Sequence, residues 1–378
     1  MNLTIQHRFV ICLALALVGF FTPTFAEPPS SNRSIIYYAM ETNAVAGPSV
    51  NKSSVQRMVD ALVCRLTGTA TPAAAWRTLV KPSERIGIKV AASGAPMGGT
   101  RPEVVEAVAH GLRSAGIPAS HIIVWDRNKS DLLTAGFSTQ SPLYRLAWTD
   151  HHDGYDPQSQ VTAPVIGKLI WGDSKFGLDD GAPLERLLNN GDQLSSTSHY
   201  SKVLSKQVDK VINIPSLLDS FLTGLNGAIS NMTIPNIDNW RRFTGEPDHG
   251  DPYLVEIYAD AMIRGKVVLT ILDGLRLQYA GGPFSNPNFV IDHQTIFMSR
   301  DPVAIDATAV RLIDENRAIS KLPSLEKSTR WLESASHIGL GKHLEKDIEL
   351  IAVPTYSATN TVLKTKAPDA HATPVPSP

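Results

Sequence analysis

Four polar residues end or follow short apolar runs that are typical of β-strands: Lys89, Asp126, Asn213 and Asp273. In an open parallel sheet, ligands bind outside the carboxyl ends of the strands, so these side chains are expected to converge on one pocket. Two carboxylates, an amide and an ammonium group could divide acid and base roles or hold an anion on Lys89. The alternative is that Asp126 and Asp273 only begin loops, as turn or cap residues.

A divalent metal is another chemistry open to the same residues, because carboxylate oxygens suit hard cations. Asp126 and Asp273 would supply those oxygens, and His249, in a loop, is the histidine retained as a candidate ligand. No HExxH and no paired HxH spacing is present, so a zinc enzyme is not indicated. No Gly-x-Ser-x-Gly elbow appears either, which argues against a serine hydrolase of the α/β type.

The glycine-rich loop at residues 94–101 (GAPMGGTR) lies between a predicted strand and a predicted helix. Free backbone N–H groups and the helix dipole at such a place favour an anion, and Arg101 could add a bidentate grip. The loop matches neither the dinucleotide fingerprint nor the P-loop, so a plain connecting loop is the alternative. Thr100 and Glu103 have the spacing of a capping box for the helix that follows.

Asp306 stands out within the predicted helix at residues 301–315 (DPVAIDATAVRLIDE). Asp301 suits the N-cap and Pro302 the first helical position, which explains both without a function. Asp306 instead falls inside the apolar arc of the helix, where a carboxylate without a partner would cost several kcal/mol. It is therefore expected either to contribute to a ligand site or to cap a neighbouring backbone segment.

Strands and helices alternate along the chain, which predicts an α/β fold with a mostly parallel central sheet and helices on both faces. Amphipathic helices are predicted at residues 50–66 and from Pro102 to Gly116. The predicted strands are 35–39, 85–91, 121–126, 210–215, 266–272, 295–299 and 348–353. These elements position the strand-end residues named above.

The domain organisation predicted from the sequence is one α/β domain over residues 27–354, without an internal linker. Residues 138–205 show no clean period and are predicted to be a long irregular insertion. Residues 355–378 are rich in Pro, Ala, Ser and Thr, and are expected to remain disordered.

Residues 1–26 are typical of a cleavable signal peptide. Arg8 precedes the apolar run at residues 9–21, and Ala26 offers a small residue at the cleavage point. That run is shorter than the roughly 20 apolar residues that span a bilayer, although a retained anchor helix is the alternative. The mature protein is therefore expected to be periplasmic or secreted, with no stable membrane insertion after cleavage.

The composition of the chain limits the kinds of ligand and partner that it is expected to bind. The 35 Lys plus Arg nearly balance the 36 Asp plus Glu, and no long run of either sign occurs, so a nucleic-acid partner is not expected. Only Cys64 remains after removal of the signal segment, and one thiol cannot hold an iron–sulfur cluster. A small-molecule ligand, with or without a divalent metal, is the expected kind of partner.

Several ordered blocks together resemble the domain of unknown function 362 family, from about residue 86 to about residue 340. The blocks are IGIKV and the following Gly-rich loop, TRPEVVEAVAHGLRSAG, IIVWDR, VINIPSLLDSFLTGLNGAISNM, VVLTILDGLRLQYAGGP and SRDPVAIDATA. Members of this family are often described beside iron–sulfur modules, but the ferredoxin-like cysteines are missing here. The resemblance therefore implies an exported member without such a module.

The positions that match the family pattern are Lys89, Asp126, Arg127, Asn213, Asn231, Asp273, Gly281, Gly282, Pro283, Asp301 and Asp306. Three of these positions, Lys89, Asp126 and Asp273, are the candidate catalytic residues. The candidate ligand-binding residues are Arg101, Arg127, Asn213, Asn231, Gly281, Gly282 and Asp306. This chain departs from the pattern at Leu218, Ser220 and Ser230, where the family implies basic residues.

Two functions remain open from the sequence. The first is an exported enzyme that acts on a small polar or anionic substrate, with or without the assistance of a metal. The second is an exported ligand-binding or accessory protein without turnover, which the missing basic residues at positions 218, 220 and 230 would favour.

Overall fold

The computed structural model describes residues 33–149, 154–161 and 197–355, which all belong to one compact unit beginning at Arg33. The strands are β1 Ser34–Met40, β2 Val45–Ala46, β3 Ser49–Val50, β4 Ile86–Val90, β5 Ile122–Asp126, β6 Arg145–Trp148, β7 Tyr155–Gln160, β8 His199–Ser201, β9 Lys210–Ile214, β10 Ser216–Ser220, β11 Gly224–Leu225, β12 Val267–Gln278, β13 Val290–Ser299 and β14 Ile348–Ala352. The helices of the described residues are α1 Lys52–Thr67, α2 Pro72–Leu79, α3 Pro102–Ser114, α4 Lys129–Thr134, α5 Ala228–Thr233, α6 Tyr253–Ala259, α7 Ala261–Arg264, α8 Pro302–Ile319 and α9 Trp331–His337.

The main sheet has the strand order β14-β1-β13-β12-β9-β4-β5-β6, with β10 and β11 joined to it beside β12. The pairs β12–β9, β9–β4, β4–β5 and β5–β6 are parallel, whereas β13 pairs antiparallel with both β1 and β12. The sheet is thus mixed but mostly parallel, and the predicted α/β fold class is confirmed.

Helices cover the sheet through two hydrophobic core clusters. One cluster joins apolar residues of α1, α2 and α3 to alternate residues of the strands, including Ile88 and Ile212. The other joins α5, α6, α8 and α9 to the remaining residues of the strands, including Trp125 and Val211. Because strand side chains alternate between faces, Lys89, the neighbour of Ile88, lies toward α5.

The ends of the long helices follow local sequence signals. Asn51 accepts hydrogen bonds from the backbone N–H groups of Ser53 and Ser54 at the start of α1, and Gly68 ends that helix with φ 69°. The prediction of a capping box at Thr100 is wrong. Arg101 is the N-cap residue of α3, and no side chain accepts a hydrogen bond from the first turn of this helix. The Thr100 hydroxyl instead donates to Ile214 O (2.7 Å) and accepts from Ala91 N (2.9 Å), so it ties β4 to β9.

Part of the region predicted to be an irregular insertion belongs to the main sheet. Residues 145–148 form β6, which pairs in parallel with β5 at the sheet edge. Its short sequence RLAW lacks the alternation or length that would have marked it as a strand. Residues 150–153 and 162–196 of this region, the predicted signal peptide and residues 356–378 of the predicted tail lie outside the described residues.

Of the helices that the structure describes, none combines the length and the apolar character needed to cross a bilayer.

Candidate functional site

Lys89 lies on β4 between Asn213 on β9 and Trp125 on β5, and its side chain is fully buried. Its Nζ atom donates hydrogen bonds to Val90 O (2.6 Å), Asp126 Oδ1 (2.7 Å) and Asn231 Oδ1 (2.9 Å). Burial lowers the pKa of the Lys89 ammonium, while the charge of Asp126 opposes that shift. Since an ammonium group has three N–H donors, Lys89 has no donor left for a ligand.

Asp126 ends β5 and forms a buried ion pair with Lys89. Its Oδ1 atom also accepts from Arg127 N (2.8 Å), and its Oδ2 atom accepts from Ala92 N (2.7 Å). These backbone bonds help to offset the cost of removing both charges from water. The side chain is 8% exposed and lines a cavity, and among the described residues Oδ2 accepts only this one hydrogen bond, which leaves it a second acceptor position.

Two buried amides continue the hydrogen-bonded group away from Lys89. Asn231, on α5, donates through Nδ2 to Asn213 Oδ1 (2.8 Å), and Asn213 donates through Nδ2 to Ala228 O (2.8 Å). Both amides are fully buried, so each needs these partners to avoid a desolvation penalty. They fix α5 against the carboxyl ends of β4 and β9.

Asp306 completes this network from α8. Its Oδ1 and Oδ2 atoms accept from Ala228 N (2.5 Å) and Ile229 N (2.9 Å) at the start of α5. Burial raises the pKa of Asp306 to about 7, although the two backbone hydrogen bonds lower it. Of the two roles left open by the sequence, the geometry is that of a cap on a neighbouring backbone segment.

Asp273 does not join Lys89 and Asp126. The sequence placed it at the end of a strand, but β12 continues to Gln278, and β9 lies between β12 and β4. Its Oδ2 and Oδ1 atoms accept from Arg101 N (2.7 Å) and Leu275 N (3.1 Å). Burial raises the pKa of Asp273 to about 6, and it does not line the cavity beside Asp126.

Arg101 also has a local structural role, unlike the anion grip expected from the sequence. Its guanidinium group donates to Pro96 O (2.5 Å) and to Met97 O, both within the Gly-rich loop. Burial lowers the pKa of Arg101, and the charge of Asp273 opposes that shift. Arg101 therefore holds the loop against the sheet.

A cavity of about 200 Å³ opens at the carboxyl ends of β4 and β5. Its polar wall includes Ser93, Asp126, Arg127, Asn128, Asp131, Ser220, Thr223, Asn226, Ser230 and Asn231. Its apolar wall includes Ala91, Leu222, Ile234, Pro235, Trp240, Pro283 and Phe284. An apolar enclosure with a few polar groups is the usual form of a small-molecule site.

Arg127 contributes a positive charge to the cavity wall and is half-buried. The guanidinium carbon lies 5.3 Å from the centre of the Trp240 ring and 6.0 Å from the centre of the Tyr155 ring. One terminal nitrogen donates to Ile237 O at 3.3 Å. The aromatic rings thus fix the position of the charge through cation–π contacts.

Gly281 and Gly282, which were predicted to bind a ligand, do not line the cavity themselves. They position the residues that follow them in the chain. Gly282 N donates to Asp219 Oδ1 (2.9 Å), and Phe221 N donates to Gly282 O (3.1 Å). A Cβ atom at position 282 would lie 1.9 Å from Asp219 O, whereas Gly281 needs its freedom because its φ is 86°. These contacts bring Pro283 and Phe284 to the cavity.

Asp219 is a residue that the sequence reasoning missed. It is buried, burial raises its pKa to about 6, and the Arg317 guanidinium lies 3.8 Å from Oδ2. The signal available was its place in the LLDSF segment that follows β9, beside the positions that depart from the family pattern.

His249 lies apart from the aspartates with which it was grouped as a metal ligand. Its Nδ1 atom is 3.1 Å from Phe221 O, and it does not line the cavity. Within residues 33–149, 154–161 and 197–355, no group of three or more His, Cys, Asp or Glu side chains is placed to hold a metal ion.

Asp301 acts as the expected N-cap of α8, accepting from Ala304 N at 2.8 Å.

The three departures from the family pattern have distinct positions. Leu218 is fully buried against the Gly-rich loop, since a Cβ atom on Gly94 would lie 2.6 Å from its Cδ2 atom. Ser220 and Ser230 both line the cavity. Ser220 and Ser230 therefore place neutral side chains in the cavity wall where the family resemblance implies basic residues.

Comparison with known proteins gives a family model and a distant structural likeness. Residues 178–311 match the family model described as Domain of unknown function (DUF362). No curated protein matches the sequence significantly. A crystal structure of a protein from Thermotoga maritima, a structural genomics target, is similar with a TM-score of 0.38 and 11% identity, covering 74% of this chain. This chain spans 61% of the length of that protein.

Proposed function

The chain belongs to the DUF362 family, whose description names no activity, and from the cavity itself we propose that it binds a small molecule. The ligand would lie at the carboxyl ends of β4 and β5, with a hydroxyl or amino group donating to Asp126 Oδ2. The observation that carries this proposal is the open acceptor position of Asp126 at the cavity wall, held in place by Lys89.

Ligand binding is favoured over proton transfer because Lys89 and Asp126 already form hydrogen bonds within the protein. Asp126 accepts from Lys89, from Arg127 N and from Ala92 N, so most of its acceptor positions serve to hold the carboxylate in place. Lys89 is fully buried with its donors in use, so it does not reach a ligand directly. Asp273, the third predicted catalytic residue, does not line this cavity.

The shape of the site also supports a small-molecule ligand. The cavity holds about 200 Å³ and is lined by both apolar and polar side chains. Because the polar groups are held by buried hydrogen bonds, the site is preorganised and little entropy is lost on binding. We therefore propose a ligand with an apolar part and at least one hydrogen-bond donor.

The experiment is a fragment screen by ligand-observed NMR, followed by crystal soaking of the fragments that bind. Fragments with a hydroxyl or amino donor are expected in the cavity, and Asp126→Asn should weaken them by about tenfold, the loss of one charge-assisted hydrogen bond. Asp273→Asn is the matched control, since it also replaces a buried carboxylate but lies outside the cavity. Binding elsewhere on the protein, or equal affinity for both variants and the wild type, would refute the proposal.

Export is a separate proposal that rests on the sequence pattern of residues 1–26, which lie outside the described residues. Expression of the full sequence in a host with a general secretion pathway is expected to give a mature chain that starts at Glu27. Intact mass measurement of the purified protein tests this directly. A chain that still carries Met1 or Asn2 at its start would contradict it.

A further inference from the structure

Arg127 has unused hydrogen-bonding capacity at the cavity wall. Its one side-chain hydrogen bond in the described part of the chain is the 3.3 Å contact from one terminal nitrogen to Ile237 O. Nε and the other terminal nitrogen have no partner among those residues, and no described carboxylate lies within 4.0 Å as an ion pair. A planar guanidinium edge of this kind matches a carboxylate with two parallel hydrogen bonds.

Asp126, the residue before Arg127, does not neutralise the charge of Arg127. Asp126 is neutralised by Lys89 at 2.7 Å, so the pair contributes little net charge. Asp131 also lines the cavity, and its Oδ2 atom accepts from Asn128 Nδ2 at 2.9 Å. Because Asp131 would repel a second negative charge, a monoanion fits this wall better than a phosphate group, which carries about −1.5 to −2 at neutral pH.

The mouth of the cavity is apolar. Phe284 lines the cavity and is 62% exposed, and Phe221 beside it is 59% exposed. Their ring centres are 6.4 Å apart, and the Phe221 N to Gly282 O hydrogen bond holds the two segments together. Two exposed aromatic rings at a cavity mouth are typical of a surface that contacts an apolar ligand.

We propose that the ligand is a small carboxylate with an apolar tail, which carries this carboxylate in addition to the hydroxyl or amino group that donates to Asp126. The carboxylate would form a bidentate pair with the free edge of Arg127, and the tail would lie along Leu222 and Ile234 toward the Phe221 and Phe284 rings. This inference rests on the proposed function and specifies its ligand class. It also assigns Arg127 as the residue that determines the charge of the ligand head.

The test compares three probes of equal chain length by isothermal titration calorimetry: hexanoate, hexylammonium and hexanol. Hexanoate is expected to bind at least tenfold more tightly than the other two, because two charge-assisted hydrogen bonds from Arg127 outweigh the single donor that hexylammonium or hexanol offers to Asp126. Acetate, which lacks the tail, is expected to bind at least tenfold more weakly than hexanoate. Arg127→Gln should remove the preference for hexanoate, and Arg127→Lys should retain part of it, since Lys keeps the charge without the planar fork.

The matched control is Arg241→Gln. Arg241 also lies over Trp240, at 5.4 Å from the ring centre, but it is exposed and does not line the cavity. This variant should keep the preference of the wild type. In Phe221→Ser/Phe284→Ser, the difference in affinity between hexanoate and acetate should shrink, while the preference for a carboxylate head remains.

The outcomes separate the two proposals. If fragments occupy the cavity but hexylammonium or hexanol binds as tightly as hexanoate, the carboxylate inference is wrong and the proposed binding function stands. If Arg241→Gln abolishes the preference as fully as Arg127→Gln, the assignment of Arg127 is wrong. If neither the probes nor the fragments bind in the cavity, both proposals fail.

Discussion

Lys89 Nζ lies 2.7 Å from Asp126 Oδ1, and the pair joins the carboxyl ends of two adjacent parallel strands. The lysine side chain is fully buried, whereas the aspartate reaches the wall of a cavity. Buried ion pairs are costly to form, because both charges leave water, and they are costly to break one partner at a time. The pair is therefore best understood as the support that fixes the Asp126 carboxylate at the cavity wall.

Lys89→Met is expected to lower the free energy of unfolding by about 3 to 5 kcal/mol, since it leaves the Asp126 carboxylate buried without its cation. Asn231 Oδ1 also loses its donor. Urea denaturation followed by circular dichroism measures the change.

The control for that variant is Lys52→Met. Lys52 pairs with Glu106 at 2.7 Å, the same separation, but the two side chains are 68% and 30% exposed. Exposed pairs contribute about 0 to 1 kcal/mol, so a small effect is expected. Equal losses for the two variants would show that burial of the Lys89 pair does not matter.

Asp306 is expected to make folding stability depend on pH. Burial raises its pKa in the folded state from the usual 3.8 to about 7, so the folded protein binds the proton more tightly than the unfolded chain does. Its contribution to the free energy of unfolding should therefore decrease as the pH rises from about 4 to about 7, and then level off. Asp306→Asn, which does not titrate, should gain stability relative to the wild type over that interval, as measured by urea denaturation at each pH.

Asp209→Asn serves as the comparison for this pH dependence. Hydrogen bonds from Arg85 lower the pKa of Asp209 to about 2, so Asp209 stays ionised in both states through most of the same interval. The stability difference between this variant and the wild type should stay nearly constant from pH 5 to pH 7. A difference for Asp306→Asn that is equally flat would contradict the raised pKa.

The sequence predicted the proximity of Lys89, Asp126 and Asn213, because the carboxyl ends of neighbouring parallel strands meet at one edge of a sheet. Lys89 pairs with Asn213 across the sheet, as expected for residues at the same level of neighbouring strands. Asn231 and Arg127 were found only through the family resemblance, since α5 and the turn after β5 have no period of their own. Their positions depend on tertiary contacts, such as the Asp306 cap and the Trp240 ring.

Asp273 shows where the same reasoning failed. The apolar run before it predicted a strand that ended at Leu272, but β12 continues for six more residues after Leu272, to Gln278. The extension pairs with β10 and β13 across register shifts. Such long-range pairing with a bulge leaves no periodic signal in the sequence, so the end of the strand, and with it the place of Asp273, could not be predicted.

Gly282→Ala is expected to disturb the cavity wall as well as the stability. The new Cβ atom would lie 1.9 Å from the backbone oxygen of Asp219, so one of the two segments must move. Because Gly282 also bonds to Asp219 Oδ1 and to Phe221 N, the movement should displace Phe284 and weaken binding of any ligand in the cavity by tenfold or more. Calorimetric titration with a fragment identified by the screen measures the affinity.

Gly339→Ala separates that effect from a general loss of stability. Gly339 has φ 76°, so alanine there is strained by roughly 1 kcal/mol, but no atom lies within 4 Å of the added Cβ. It should lower the free energy of unfolding and leave ligand affinity unchanged. If the two alanine variants weaken binding to the same extent, the contact between Gly282 and Asp219 does not shape the cavity, and the loss in Gly282→Ala comes from stability alone.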